Sequence, residues 1–87
     1  MFHYVYVLKS LKDNQNYTGY TKNLKLRFEQ HCNGAVESTE NRRPLKLIYY
    51  EACLNQQDAT RREKYLKTRY GKTYIKNRLA KWLSQSE

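Results

Sequence analysis

Acidic side chains are scarce in this chain of 87 residues: eight Asp and Glu stand against seventeen Lys and Arg, a formal net charge of +9. The isoelectric point is correspondingly near 9.7. Such an imbalance bears on partners more than on fold, and the first partner it suggests is a polyanion. Cysteine is scarce too. Cys32 and Cys53 lie far apart, with no second pair and no C-x-x-C spacing, which argues against a zinc site or a disulfide framework. No stretch approaches the roughly 20 apolar residues of a membrane span. The N-terminus also lacks the basic, apolar, small-residue order of a secretory signal. The expected compartment is therefore the cytoplasm. Internal repeats, low-complexity segments and linker-like stretches are missing, so residues 1–87 are expected to form one domain. A domain of this size buries only about 60 to 65 % of the surface of its unfolded chain.

Aromatic residues are what the chain does have. Nine Tyr, two Phe and one Trp, set in clear periodic patterns, supply a core that disordered chains lack, despite a mean hydropathy of -1.04. Residues 2–8 run Phe-His-Tyr-Val-Tyr-Val-Leu, apolar on both faces, as a central strand requires. Turn chemistry at residues 12–16 predicts a hairpin, with its return strand over residues 17–20. If strand residues pair with an odd sum, such as Tyr6 with Gly19, then Tyr6 and Tyr17 project from the same side. An even sum separates them.

Behind Thr21, the expected N-cap, comes a helix in which Leu24 and Phe28 form an apolar stripe. Arg27 and His31, also four apart, share the neighbouring face. A fixed cation thus stands one turn from a group whose reference pKa is near neutrality, a pair suited to holding and acting on a phosphate. Asn33-Gly34 ends this helix. A polar loop over residues 35–44 leads to a third strand over residues 45–53. Asn55 caps a second helix carrying Ala59, Glu63, Leu66 and Tyr70 at helical spacing, which puts Glu63 on or beside the inward stripe. Gly71 is expected to interrupt it. A third helix from Lys72 then presents Tyr74, Ile75, Arg78, Leu79, Trp82 and Leu83 as an amphipathic band ahead of a polar tail over residues 84–87. The expected class is α/β (α+β): a small three-stranded antiparallel sheet flanked by helices, in the order β-β-α-β-α-α.

Each of these residues also has an ordinary reading. Tyr6 and Tyr17 can serve as core aromatics of a hairpin, Arg27 as a solvated helix residue, and Glu63 as the partner of Lys67 in an i,i+4 pair worth a few tenths of a kcal/mol. His3, Cys32 and Cys53 read as structural or incidental.

In combination the pieces resemble the GIY-YIG nuclease superfamily, in particular its small stand-alone bacterial members. The two naming tripeptides fall on Tyr4-Val5-Tyr6 and Tyr17-Thr18-Gly19. The likeness continues through Arg27, His31, Asn33-Gly34, Arg42-Arg43-Pro44-Leu45 and Arg61-Arg62-Glu63-Lys64. What the resemblance implies is metal-dependent hydrolysis of DNA phosphodiesters, with Tyr6 and Tyr17 positioning and activating water and Arg27 neutralising the scissile phosphate. On the same grounds His31 contacts the phosphate or moves a proton, and Glu63 holds a single Mg²⁺ or Mn²⁺. Which of Tyr6, Tyr17 and His31 takes the proton is left open. Arg42, Arg43, Arg61, Arg62 and Lys67 are expected to track the nucleic-acid backbone. No small-molecule cofactor is implied, and repair, recombination and mobile-element roles are all compatible with this reading. The chain departs from the pattern at Tyr20, where many members carry Lys. That departure motivates a competing expectation, a nucleic-acid-binding module of the same fold that cuts poorly or not at all.

Overall fold

Alternating side chains in the first strand decide the layering of the molecule. The computed structural model describes residues 1–85, in which β1 (His3–Ser10) lies at the centre of a three-stranded antiparallel sheet ordered β2-β1-β3, with β2 spanning Asn16–Thr21 and β3 Leu45–Cys53. Val5 and Val7 point to one side and pack on Ala59 and Leu66 of α2 (Gln56–Leu66) and Ile75 of α3 (Arg69–Arg78). Tyr6 and Leu8 point to the other, where they meet Tyr17, Leu45 and Leu47 together with Leu24 and Phe28 of α1 (Leu24–Cys32). A strand apolar on both faces is thus covered on both, by α1 on one side and by α2 and α3 on the other.

The β3 bounds agree with those expected; β2 runs one residue further at each end, and β1 begins one residue later and ends two residues later than expected. Pairing with β3 shifts register between Val7 and Leu8, an irregularity that leaves Ile48 without a partner on β1. The connection before β3, expected as an irregular loop, contains a short 3₁₀ turn at Glu40–Arg42.

Three expectations about helix ends are corrected. Thr21 is not the cap of α1, because it still pairs with Tyr4 as the last residue of β2. Its hydroxyl accepts from Asn23 N at 3.1 Å, and Asn23 takes over as N-cap, accepting from Leu26 N at 3.1 Å. Gly71 does not break the second helix either. The break comes earlier, where Thr68 caps α3 by accepting from Gly71 N at 3.2 Å. Gly71 is buried in the first turn of α3, where a Cβ would collide with Tyr65 O and the Leu66 backbone, so glycine here serves close packing of α3 on the end of α2. Tyr70 accordingly leaves the α2 stripe and lies exposed on α3. The last helix is two, since Leu79 ends α3 and α4 spans Ala80–Gln85. The order is β-β-α-β-α-α-α. Ser84 and Gln85 of the expected polar tail belong to α4, and its last two residues lie outside the described ones.

Candidate active site

Tyr6 pairs with Gly19 and Leu8 with Tyr17, an odd-sum register that puts both phenols on the α1 side of the sheet. Their ring centroids are 6.4 Å apart. Tyr6 is buried and Tyr17 half-buried. The Tyr6 hydroxyl lies against the Gly19 backbone, where a Cβ on residue 19 would run into its Oη and Cζ. Glycine is needed at this position for space rather than for an unusual backbone angle.

Helix α1 delivers His31 into the same place. The imidazole is fully buried, with Nε2 2.9 Å from Tyr6 Oη and Nδ1 2.7 Å from the hydroxyl of Thr39. Its ring centroid stands 5.2 Å from that of Tyr17 and 5.6 Å from that of Tyr6. Burial, with the Arg27 charge adding to it, depresses the His31 pKa to about 4. The expectation that this group titrates near neutrality is therefore corrected: the ring is neutral at pH 7, and both its nitrogens are engaged.

Arg27, one turn earlier and half-buried, donates from Nη1 to Gln30 Oε1 at 3.1 Å. Burial pushes the Tyr6 phenol above its ordinary pKa, Arg27 opposes that rise through hydrogen bonding and charge, and the charges of Tyr17 and Glu63 add to it. The Tyr6 oxygen is thus where the influence of the other four residues meets. Glu63 belongs to α2 on the opposite face of the sheet, and its charge is the smallest of these influences on the phenol.

The Glu63 side chain is 21 % exposed, and its Oε2 accepts from Lys67 Nζ at 3.0 Å. The intrahelical pair foreseen as the ordinary reading is present, and it engages one carboxylate oxygen. A half-buried carboxylate with one oxygen left over suits a hard divalent cation that takes one protein oxygen and fills its other positions with water and phosphate. No group of three His, Cys, Asp or Glu able to hold a metal occurs among the described residues. Glu63 would be the protein ligand.

The basic residues expected on a nucleic-acid backbone divide between the two faces, and each already has a local partner. Arg42 Nε stands 3.3 Å from Asp13 Oδ2, and Arg43 Nε donates to Glu40 O at 3.0 Å. On α2, Arg61 pairs with Asp58 at 2.7 Å and Lys67 with Glu63. Arg62 is the most committed of the five. Its Nη2 and Nε donate to both oxygens of Glu51 at 2.8 to 3.1 Å, and its guanidinium lies 4.7 Å from the Tyr74 ring centroid. Although burial pushes the Glu51 carboxyl up, hydrogen bonds from Arg62 and Tyr49 outweigh it and hold the pKa below the usual range.

A family model described as the GIY-YIG catalytic domain matches residues 2–84. The chain belongs to the GIY-YIG family. It is 46 % identical over 65 residues to a UPF0213 protein of Clostridium perfringens, covering 74 % of this chain and 69 % of that one. A UPF0213 protein of Pediococcus pentosaceus is 45 % identical over 74 residues, 84 % of this chain and 77 % of the relative. The solution NMR structure of a UPF0213 protein from Bacillus halodurans shares the fold, with a TM-score of 0.53 at 35 % identity over 86 % of this chain and 82 % of that one. GIY-YIG membership implies a nuclease family, and nucleases of this family generally use divalent metal ions. No helix among the described residues is long and apolar enough to cross a membrane.

Two features of the candidate site and its surroundings escape a reading of the sequence. Thr39 reaches His31 from a loop that reads as polar, and its only cue is Val36, an aliphatic residue that is itself buried. Tyr20, at the position where many GIY-YIG members carry Lys, packs on the α2 side with its hydroxyl 2.8 Å from His3 Nδ1.

Proposed function

We propose that this chain is a metal-dependent endonuclease that hydrolyses DNA phosphodiester bonds at the cluster around Tyr6. One observation carries the reading: Tyr6, Tyr17, Arg27 and His31, drawn from two strands and a helix, meet on one side of the sheet. In this mechanism Arg27 receives the scissile phosphate, since its planar fork of donors matches two phosphate oxygens and its charge offsets what develops in the transition state. His31, with both ring nitrogens engaged, is neutral at pH 7 and acts through Tyr6. Tyr17, the more open phenol, orients the attacking water. Tyr6 takes a proton from that water as its own phenolic proton passes to His31 Nε2, 2.9 Å away, with the Arg27 charge favouring the transfer. A divalent cation such as Mg²⁺ or Mn²⁺ held by Glu63 would supply positive charge at the phosphate and leaving oxygens and offset the carboxylate that raises the Tyr6 pKa. The partner is DNA, with exposed lysines and arginines beside the site adding salt-sensitive affinity.

The test incubates plasmid, single-stranded and branched DNA with Mg²⁺ or Mn²⁺ and the wild type, Arg27→Ala and Glu63→Ala proteins. Cleavage by the wild type alone supports the proposal. Binding by all three with cleavage by none favours a second reading, a binding module that does not cut. Two features favour that alternative: Tyr20 is committed to His3 where many members carry Lys, and Lys67 already occupies one Glu63 oxygen.

A further inference from the structure

A cavity of about 550 Å³ lies between the sheet and helices α2 and α3, within the roughly 300–1,000 Å³ usual for small-ligand sites. Its floor is apolar and owes its shape to the irregularity in β3. Because the register shifts there, Ile48 and Tyr49 both turn to the α2 side instead of alternating, and Ile48 joins Val7, Leu66 and Ile75 in the lining. The rest of the wall is basic. Lys9 follows Val5 and Val7 at the two-residue repeat of β1, so a lysine takes a position that faces the helices. It stands opposite Lys46 of β3, and like charges directly across two strands repel. Lys67 lines the cavity from the end of α2, and Lys72 and Lys76 line it from one face of α3. Among the described residues no Asp or Glu lines it, and Lys9, Lys72 and Lys76 form no ion pair. A lysine turned inward on the central strand and set against a second lysine costs stability, which a bound anion offsets.

We infer that this cavity receives an unpaired nucleotide of the DNA strand being cut, with its phosphate among the lysines and its base against Ile48, Leu66 and Ile75. The inference rests on the proposed nuclease reading and names the form of DNA on which the site acts. Ammonium groups without a competing carboxylate suit a phosphate, and the apolar floor suits the flat face of a base. Asn14, Gln15 and Asn16 of the hairpin turn also line the cavity. Side-chain amides offer the donors and acceptors that a base edge needs and that a fatty chain has no use for. Continuity with the candidate site selects DNA over a free nucleotide. Tyr17, with its ring 6.4 Å from that of Tyr6, lines the cavity, and so does Lys67, whose ammonium is 3.0 Å from Glu63. A base that is stacked and paired must leave the duplex to enter such a pocket, so sites with an unpaired nucleotide are favoured over intact duplex.

The test adds two DNA duplexes to the whole chain without divalent metal, one fully paired and the other identical except for a single unpaired nucleotide. Ile48 and Ile75 are the only isoleucines in the chain, and both line the cavity, so an isoleucine-methyl NMR spectrum watches this site alone. Both signals are expected to move with the duplex carrying the unpaired nucleotide and to stay in place with the paired one, which should bind at least about 10-fold more weakly. Lys72→Gln with Lys76→Gln should remove most of that preference. Lys22→Gln with Lys25→Gln, the same change of charge at the start of α1, should weaken both duplexes alike. Equal affinities with unmoved isoleucine signals overturn the inference, and if that protein cuts DNA with Mg²⁺ or Mn²⁺ the nuclease reading stands. Signals that move with deoxyadenosine monophosphate or laurate and not with the unpaired nucleotide in DNA also overturn it, in favour of a free nucleotide or a fatty acid. Should the lysine variants fail to fold, the wild-type spectra and affinities decide. A wild type that shows the preference and the shifts but cuts neither duplex keeps the pocket and overturns the nuclease reading.

Discussion

Tyr6 and Gly19 face each other across β1 and β2, and the phenol hydroxyl fills the space where a side chain at residue 19 would begin. Gly19→Ala is therefore expected to push the Tyr6 ring aside. Overpacking of this kind costs about 1–3 kcal/mol of stability, but the loss of cleavage should be far larger than that suggests, because the proposed mechanism places Tyr6 at the proton transfer. Adding Tyr6→Phe to Gly19→Ala relieves part of the clash, so denaturant melts should recover in part while cleavage does not. Full activity in a folded Gly19→Ala protein would refute the placement of Tyr6 in the chemistry.

Arg27 pairs with a neutral amide rather than a carboxylate, so its charge is left to act on a phosphate. Arg27→Lys retains the charge and loses the fork. Cleavage should fall by about two to three orders of magnitude, the usual effect of removing one transition-state donor, with a thermal midpoint close to that of the wild type. A Lys variant as active as the parent would show that point charge is enough.

Glu63 and Lys67 form an i,i+4 pair whose partners are 21 % and 53 % exposed, so the pair contributes only a few tenths of a kcal/mol. Glu63→Gln should leave stability nearly unchanged, abolish metal-dependent cleavage and preserve DNA binding. Retention of cleavage at the same metal concentration would remove Glu63 from the site.

His31 has a pKa of about 4 in the folded chain against an ordinary 6.5. The unfolded chain therefore takes up its proton first as the pH falls. Stability associated with the neutral ring is complete above pH 6.5 and is lost on acidification towards pH 4, by on the order of 2 kcal/mol. Urea midpoints measured across this window should fall more steeply for the wild type than for His31→Gln. Parallel curves would mean that the ring is not held neutral by burial.

Arg62 is predicted to matter for stability more than for DNA. Breaking its two-oxygen contact with Glu51 leaves a partly buried carboxylate unpaired, so Arg62→Ala should cost about 1–2 kcal/mol. Arg61→Ala, at an exposed pair, should cost under about 1 kcal/mol. The salt dependence of DNA binding should be unaffected by Arg62→Ala, and a shallower slope on its loss would instead mark it as a phosphate contact.

Much of this arrangement is legible in the residues. The apolar run at residues 2–8 identifies the central strand, Pro44 followed by a β-rich run locates β3, and Asn55 marks the start of α2, because each rests on a local cue that tertiary packing does not override. Helix ends were harder to read where two caps compete. Thr21 remains in the sheet and passes the cap to Asn23, and Gly71 reads as a breaker although its missing side chain serves packing within a helix. The site was legible as a set of residue types and not as an electrostatic environment. Sequence places Arg27 and His31 on one helix face, but the burial that neutralises His31 and the hydroxyl of Thr39 beneath it depend on a loop closing over the helix, which no periodicity records. Likewise Arg62 looks like its neighbour Arg61 until Glu51, eleven residues away, is brought opposite it.

Because α1 and α2 approach the sheet from opposite sides, the cluster has no smaller version of itself. Peeling away either layer removes Arg27 and His31 or Glu63, so a fragment or a half-opened molecule retains pieces of the constellation and none of its geometry. In a chain this short, competence at the site and integrity of the whole domain are one cooperative property, to be gained or lost together.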